Sequence, residues 1–244
     1  MPTLYISPSS LETVPVLTGG GSEAYQMHLL ADALEPYLLS SGMGYEIARP
    51  DMTPEARVRQ ANEGRYALYL TLRAAPFGGG RDRGITALYA PSDSRGQEAA
   101  KWLAGAFREI YPLPSLATTR PVTGVLELSG PKAPAALLAL GYHDSFPDAV
   151  WLEAHRDLAA QAIAVALTGF LGVPFVYPQK PRWGTVSTPG GTGLPLRERP
   201  CKESDMIRLL PEGSTVLICG RYQAWYVVHS GDAIGYAAAA YILV

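Results

Sequence analysis

Apolar and polar positions follow two different rhythms along the chain. From the N-terminus to about residue 171, short apolar runs alternate with stretches of helical spacing. Leu4 to Ile6 reads as a strand that breaks at Ser-Pro-Ser-Ser. Ser22 is a good N-cap, and Glu23 suits the positive end of the helix behind it, whose Met27, Leu30, Ala31 and Leu34 recur at helical intervals as far as Ser40-Ser41-Gly42. The pattern then predicts a strand at Tyr45 to Ala48, a helix over Pro54 to Glu63 and a strand at Ala67 to Leu72. The loop after that strand holds Gly78, Gly79 and Gly80. Further strands are expected at Ile85 to Ala90, Val122 to Leu128 and Ala135 to Leu140, with helices over Asp93 to Tyr111 and Leu152 to Leu171. Strands alternating with helices of this length specify an α/β fold with a mostly parallel twisted sheet flanked by helices. Functional groups in such sheets gather at the carboxyl ends of strands, where Ser10, Arg73 and the loop from Gly141 to Ser145 fall.

After Pro174 the rhythm changes. Three prolines between Pro174 and Trp183 interrupt the helical pattern and predict a stiff linker over 174–184. Short alternating segments follow at Leu194 to Arg197, Met206 to Leu209, Thr215 to Cys219, Trp225 to Val228 and Ala233 to Ala237. Turn residues separate them, as in a small all-β barrel over 185–244. The first domain is therefore expected to span 1–173. Hydrophobic residues make up 48% of the 244 and charged ones 17%, which excludes a disordered chain. A net charge of -2 gives no basic surface for nucleic acid. No apolar run reaches the roughly 18 residues that span a bilayer, so no membrane insertion is expected. The opening residues carry no visible signal peptide.

Four stretches carry a family resemblance: Ile6-Ser7-Pro8-Ser9-Ser10, Ser22-Glu23, Leu68-Tyr69-Leu70-Thr71-Leu72-Arg73, and Pro134 to Tyr142. Together they resemble the zinc-dependent N-acetylmuramoyl-L-alanine amidases, which cut between the glycan and the peptide stem of peptidoglycan. The resemblance implies metal ligands at the positions of Ser10, Glu23 and Arg73, and a catalytic glutamate at that of Ala139. Only Glu23 has the side chain the family uses. Serine is a poor neutral ligand, arginine has no lone pair and repels a dication, and alanine cannot act as a base. The resemblance thus implies a degenerate amidase with no zinc or other cofactor, which binds peptidoglycan or muropeptides without cutting them. Two other readings stand beside it: an active amidase with a rearranged metal site, and a structural or regulatory subunit with a protein partner. The expected location is extracytoplasmic, at the cell wall, or phage-associated. Leu194-Pro195-Leu196-Arg197, Leu210-Pro211-Glu212-Gly213, Trp225 to Val228 and Ile234-Gly235-Tyr236 are similar to landmarks of the bacterial type of Src homology 3 domain.

Two placements are open for Arg73: pairing with Glu23 where a metal would sit, or pointing to solvent at a strand end. Glu12 is either a substitute ligand or a solvated loop charge. His143 and Asp144 fall just after a strand, where a site residue could stand, and are either binding candidates or an ordered turn. Glu127, a lone acid in an apolar segment, is either a wall contact or a buried ion-pair member. Arg197 and Arg199, with Tyr222, Trp225, Tyr226 and Tyr236, are candidates for a peptide-binding aromatic face, although barrel cores use such residues too. His28 does not share a helix face with Glu23, and His155 and His229 are expected at the surface. Cys201 and Cys219 are expected as free thiols. No Gly-x-Ser-x-Gly or phosphate-loop pattern is present.

Overall fold

The computed structural model describes residues 1–75, 82–142 and 144–244. The glycine loop after the third expected strand and His143 lie outside the described residues. The chain divides into two compact units: Pro2–Leu34 with Tyr45–Leu171, and Met1 with Glu35–Gly44 and Gly172–Val244.

In chain order the elements of the α/β region are β1 (Thr3–Pro8), α1 (Glu23–Ser40), β2 (Gly44–Ile47), α2 (Pro54–Glu63), β3 (Leu68–Ala75), β4 (Ile85–Tyr89), α3 (Ser94–Arg108), β5 (Ala117–Pro121), α4 (Leu126–Ser129), β6 (Ala135–Tyr142), α5 (Phe146–Ala154) and α6 (Arg156–Leu171). Among the described residues these strands form a six-stranded sheet of order β2-β1-β3-β6-β4-β5. β1 runs parallel to β3, β3 to β6 and β4 to β5, whereas β4 is antiparallel to β6. The expected α/β class with a largely parallel sheet is therefore what the chain adopts.

Caps set where the helices begin. Ser22 Oγ accepts the Tyr25 N–H (3.1 Å), and Thr53 Oγ1 accepts from Ala56 N ahead of Pro54. Asp93 joins a helix to the sheet: Oδ1 accepts from Gly96 N (2.7 Å) and Oδ2 from Ala135 N on β6 (2.8 Å). This leaves no room beyond Gly96, where an added Cβ would lie 2.3 Å from the Ala135 carbonyl oxygen. Gly96→Ala is expected to cost about 1–3 kcal/mol despite alanine's better helix propensity, because the clash is with backbone. A denaturant midpoint equal to that of the native chain would disprove this placement of α3.

The sheet's two faces differ in chemistry. α3 packs across β4, β5 and β6 and is backed by α6. On the opposite face α2 and α4 bring Val58, Ala61 and Leu128 against Tyr5, Tyr69, Leu137 and Ala139. Because side chains alternate along a strand, the parallel register places Ser7, Thr71 and Arg73 on that second face as well.

Three local expectations are corrected. The strand at Val122 to Leu128 is displaced to Ala117–Pro121, and Leu126–Ser129 is a helical turn. Gly124, with φ of 77°, turns the chain between them, a conformation glycine adopts without strain. The closing helix is two helices separated at His155, with α5 opening at Phe146-Pro147, proline suiting a first turn. The proline-rich segment also yields to structure before residue 184. The strand β7 (Arg182–Val186) starts inside it, and Val176 is buried, its N–H bonded to Ser41 Oγ (3.0 Å) within the second unit.

β7 is followed by β8 (Leu194–Arg197), β9 (Met206–Leu210), β10 (Thr215–Tyr222), β11 (Trp225–Ser230), β12 (Ala233–Ala238) and β13 (Ile242–Leu243). They form a seven-stranded antiparallel sheet of order β13-β7-β10-β11-β12-β8-β9. Val186, Leu196, Val216, Ile218, Val228 and Ala237 fill its core, in keeping with the expected C-terminal β domain.

Candidate functional site

The polar groups on the α2/α4 face of the first sheet form one buried network. Glu127, 2% exposed, is its anion. Its Oε1 accepts from Ser7 Oγ (2.6 Å) and from Tyr69 OH (3.0 Å), and its Oε2 pairs with Arg73 Nη2. α4 is a single turn whose job is to deliver this carboxylate beneath β3. Arg57, fully buried, enters from α2. Its Nη1 donates to Ser7 Oγ (3.3 Å) and to the Pro8 carbonyl, and its Nη2 to the Arg49 carbonyl (3.2 Å). Tyr5 stacks on Tyr69, with ring centroids 5.0 Å apart, and donates to Gln60 Oε1 (2.7 Å). Burial, and after it the negative charge of Glu46, pushes the Tyr5 hydroxyl up to about 12. Burial and the adjacent Glu127 raise Tyr69 further, so both phenols stay neutral donors at physiological pH. Among the described residues, Thr71 Oγ1 and the Nε atoms of Arg57 and Arg73 are buried without a hydrogen-bond partner.

This places Arg73 differently from both sequence readings. Its carboxylate partner is Glu127 and not Glu23, and the pair is largely covered, with side-chain exposures of 24% and 2%. Glu23 is buried at the start of α1, where its Oε1 accepts the Ala74 N–H (3.1 Å). It lines a hollow of about 30 Å³ with Gln26, Met27, Ala74, Leu140, Leu152 and Glu153, room for one or two waters. Ala139 lies directly across from Arg73 in the β3–β6 register and is packed in the core. Ser10 is half-buried, two residues past the end of β1. Glu12 is a loop acid whose Oε2 accepts from Ser22 Oγ (3.1 Å) in an exposed contact.

These positions do not suit a divalent cation. A guanidinium tied to a carboxylate sits at one of them, a methyl at another, and the one retained carboxylate already accepts a backbone N–H. Among the described residues no group of three His, Cys, Asp or Glu side chains is arranged to hold a metal ion.

A second buried carboxylate, given no role by the sequence reading, organises the end of β6. Asp148, 2% exposed, accepts from Gly84 N (3.0 Å), Tyr142 N (3.3 Å), Tyr111 OH (2.6 Å) and Arg83 Nε (3.4 Å). Gly141, with φ of 85°, lets it approach, since an added Cβ would stand 2.6 Å from Asp148 Cβ. Asp144 occupies the turn just before, half-buried. Of these polar residues, Glu23, Arg73 and Asp144 carried a signal in the sequence, and so did Glu127, as an acid in an apolar setting. Ser7 and Tyr69 stood only within the stretches that carry the resemblance, and Arg57 and Asp148 had none.

In the second unit the aromatic candidates separate. Tyr226 and Tyr236 are buried, and Tyr236 OH donates to the Ser41 carbonyl (3.0 Å) within the same unit. Tyr222 and Trp225 are half-buried cross-strand partners at the β10–β11 turn. Arg197 spends one donor on the Ser204 carbonyl (2.6 Å), and Arg199 lies in the following loop, its N–H bonded to Ser204 Oγ (2.9 Å). The most exposed aromatics here are Trp183 and Tyr177, which the sequence reading passed over as linker. His229 is half-buried rather than at the surface, and burial lowers its pKa; burial also lowers that of His28. His155 is exposed and stacks on Trp151. Both cysteines are free, Cys201 exposed and Cys219 buried.

No protein-family model matches the chain, and no curated protein is similar to it in sequence. Solved structures are similar in fold. The catalytic domain of CwlV, an N-acetylmuramoyl-L-alanine amidase from Bacillus (Paenibacillus) polymyxa var. colistinus, is 19% identical with a TM-score of 0.62, over 71% of this chain and 100% of that one. The N-acetylmuramoyl-L-alanine amidase AmiC2 of Nostoc punctiforme is 18% identical with a TM-score of 0.63, over 70% of this chain and 97% of that one. The CwlD amidase of Clostridioides difficile, solved in complex with the GerS lipoprotein, is 13% identical with a TM-score of 0.63, over 70% of this chain and 99% of that one. The α/β fold of this chain is therefore that of N-acetylmuramoyl-L-alanine amidase catalytic domains.

Proposed function

We propose that the chain is a peptidoglycan-binding protein of the cell wall, built on an amidase-like domain that no longer hydrolyses its ligand. The C-terminal β domain, of the bacterial Src homology 3 type in this reading, helps to hold the wall. The observation that carries the proposal is the Arg73–Glu127 pair beside Ala139. An amide hydrolase of the resembling kind needs a metal-activated water and a carboxylate to take its proton. Here the strand end that would serve the metal carries an occupied guanidinium, and the neighbouring strand carries a methyl in place of the base. Shape can outlast chemistry on such a fold, so binding survives the loss.

Two measurements on the purified chain test this. It is expected to co-sediment with insoluble peptidoglycan sacculi without releasing soluble fragments, and to contain far less than one zinc per chain. Stoichiometric zinc together with wall solubilisation would instead establish an active amidase with a rearranged site. Failure to sediment would turn attention to a protein partner, as for CwlD, which is in complex with a lipoprotein. Descent is testable separately: Ser10→His, Arg73→His and Ala139→Glu combined should bring back amide cleavage if only the chemistry was lost.

A further inference from the structure

The buried network is short of one negative charge, and one of its two cations is partly accessible. Two guanidiniums, Arg57 and Arg73, share one carboxylate, Glu127. Arg57 reaches it only through Ser7 Oγ, and its other acceptors are the neutral carbonyls of Pro8 and Arg49. A buried cation without an anionic partner is costly, so a network of two cations and one anion favours a further anion. Arg57 is fully enclosed and cannot take one. Arg73 keeps 24% of its side chain exposed, and only its Nη2 is committed to Glu127. Among the described residues its Nε has no partner, nor has Thr71 Oγ1 two residues back on the same face, but both atoms are enclosed, so an incoming anion meets the guanidinium at its Nη end. Ala139, opposite Arg73, supplies no second carboxylate to repel an incoming anion. Glu23 lines the hollow with Ala74 and Leu140 on the other face of the sheet.

Resting on the wall-binding reading above, we propose that Arg73 is a carboxylate-recognition residue for the peptide stem, at the strand end where the resembling enzymes place a metal ligand. A guanidinium is a planar fork that matches a carboxylate with two parallel hydrogen bonds. Glu127 holds this one in place beforehand, so little side-chain freedom is lost when the ligand arrives. The same chemistry explains why lysine would be a poor substitute: it offers a point charge and no fork.

The test compares two soluble probes by calorimetric titration: N-acetylmuramoyl-L-alanyl-D-glutamate with its carboxylates free, and the same molecule with them amidated. The unaltered chain is expected to prefer the free acid by about tenfold or more, as befits a charge-assisted bidentate contact. Arg73→Lys should lose most of that preference while still giving Glu127 a cation, and thermal unfolding of the variant checks that it folds. Arg73→Gln should lose the preference entirely. Binding to sacculi with no preference between the probes would overturn the proposal and leave the wall-binding reading standing. A preference that both Arg73 variants retain would also overturn it, by placing the contact elsewhere. Failure to bind sacculi and either probe would remove the reading and the proposal together. The comparison on the unaltered chain needs no variant, so a variant that misfolds does not block the test.

Discussion

Glu127→Leu is expected to destabilise the α/β domain by roughly 3–5 kcal/mol, the usual cost of stranding the partner of a buried ion pair. Leucine fills a similar volume, so the loss is not one of packing. It arises because Arg73, Ser7 and Tyr69 all give a hydrogen bond to this one carboxylate, and Arg57 reaches it through Ser7. For a chain of this size the loss corresponds to a fall in melting temperature of about 6–20 °C. Thermal unfolding measures it, and a cycle with Arg73→Met tests the cause. Once Arg73 is gone, Glu127→Leu should cost less, with a coupling of about 0.5–3 kcal/mol. Strict additivity of the two substitutions would show that the pair contributes nothing to stability.

Asp148→Ala is expected to be of similar size, about 3–5 kcal/mol. Each buried donor left without an acceptor costs about 1–3 kcal/mol, and water entering the vacated space recovers part of the total. The donors are two backbone amides, a phenol and a guanidinium, and together they fix the segment from Gly84 to the end of β6. Two local readouts separate this from general loosening. The amides of Gly84 and Tyr142 should exchange faster with solvent than their strand neighbours. Tyr111, raised above the ordinary phenol range by burial, by its bond to Asp148 and by that residue's charge, should ionise at lower pH once two of those causes are removed. A Tyr111 titration that does not move would show that the carboxylate does not govern it.

The alternation of apolar strands with amphipathic helices was enough to give the α/β class. Burying both faces of a sheet imposes that pattern whatever the chemistry at its ends. Errors fell where one residue outweighed a run. Gly124 turned an apolar stretch into a turn and a short helix, and the turn at His155 divided a continuous helical pattern. At Arg182 a strand paired despite three preceding prolines, because β10 and β13 offered it partners on both sides. Periodicity averages over windows and does not weigh such single positions.

The site was legible only in outline. The sequence by itself determined which side chains stand at the strand ends, and thereby that one carboxylate, one guanidinium, one hydroxyl and one methyl occupy the positions the resemblance singles out. Tertiary structure decided which of them meet. Glu127 is 54 residues from Arg73 along the chain and 120 from Ser7, and nothing in local spacing links them. Arg57 reads in sequence as an ordinary polar position of a surface helix, yet it is fully buried because α2 lies over the polar end of the sheet face. Ion pairs of this kind form between elements that the fold brings together, and their partners become readable only when the register of the strands and the seating of the helices are known.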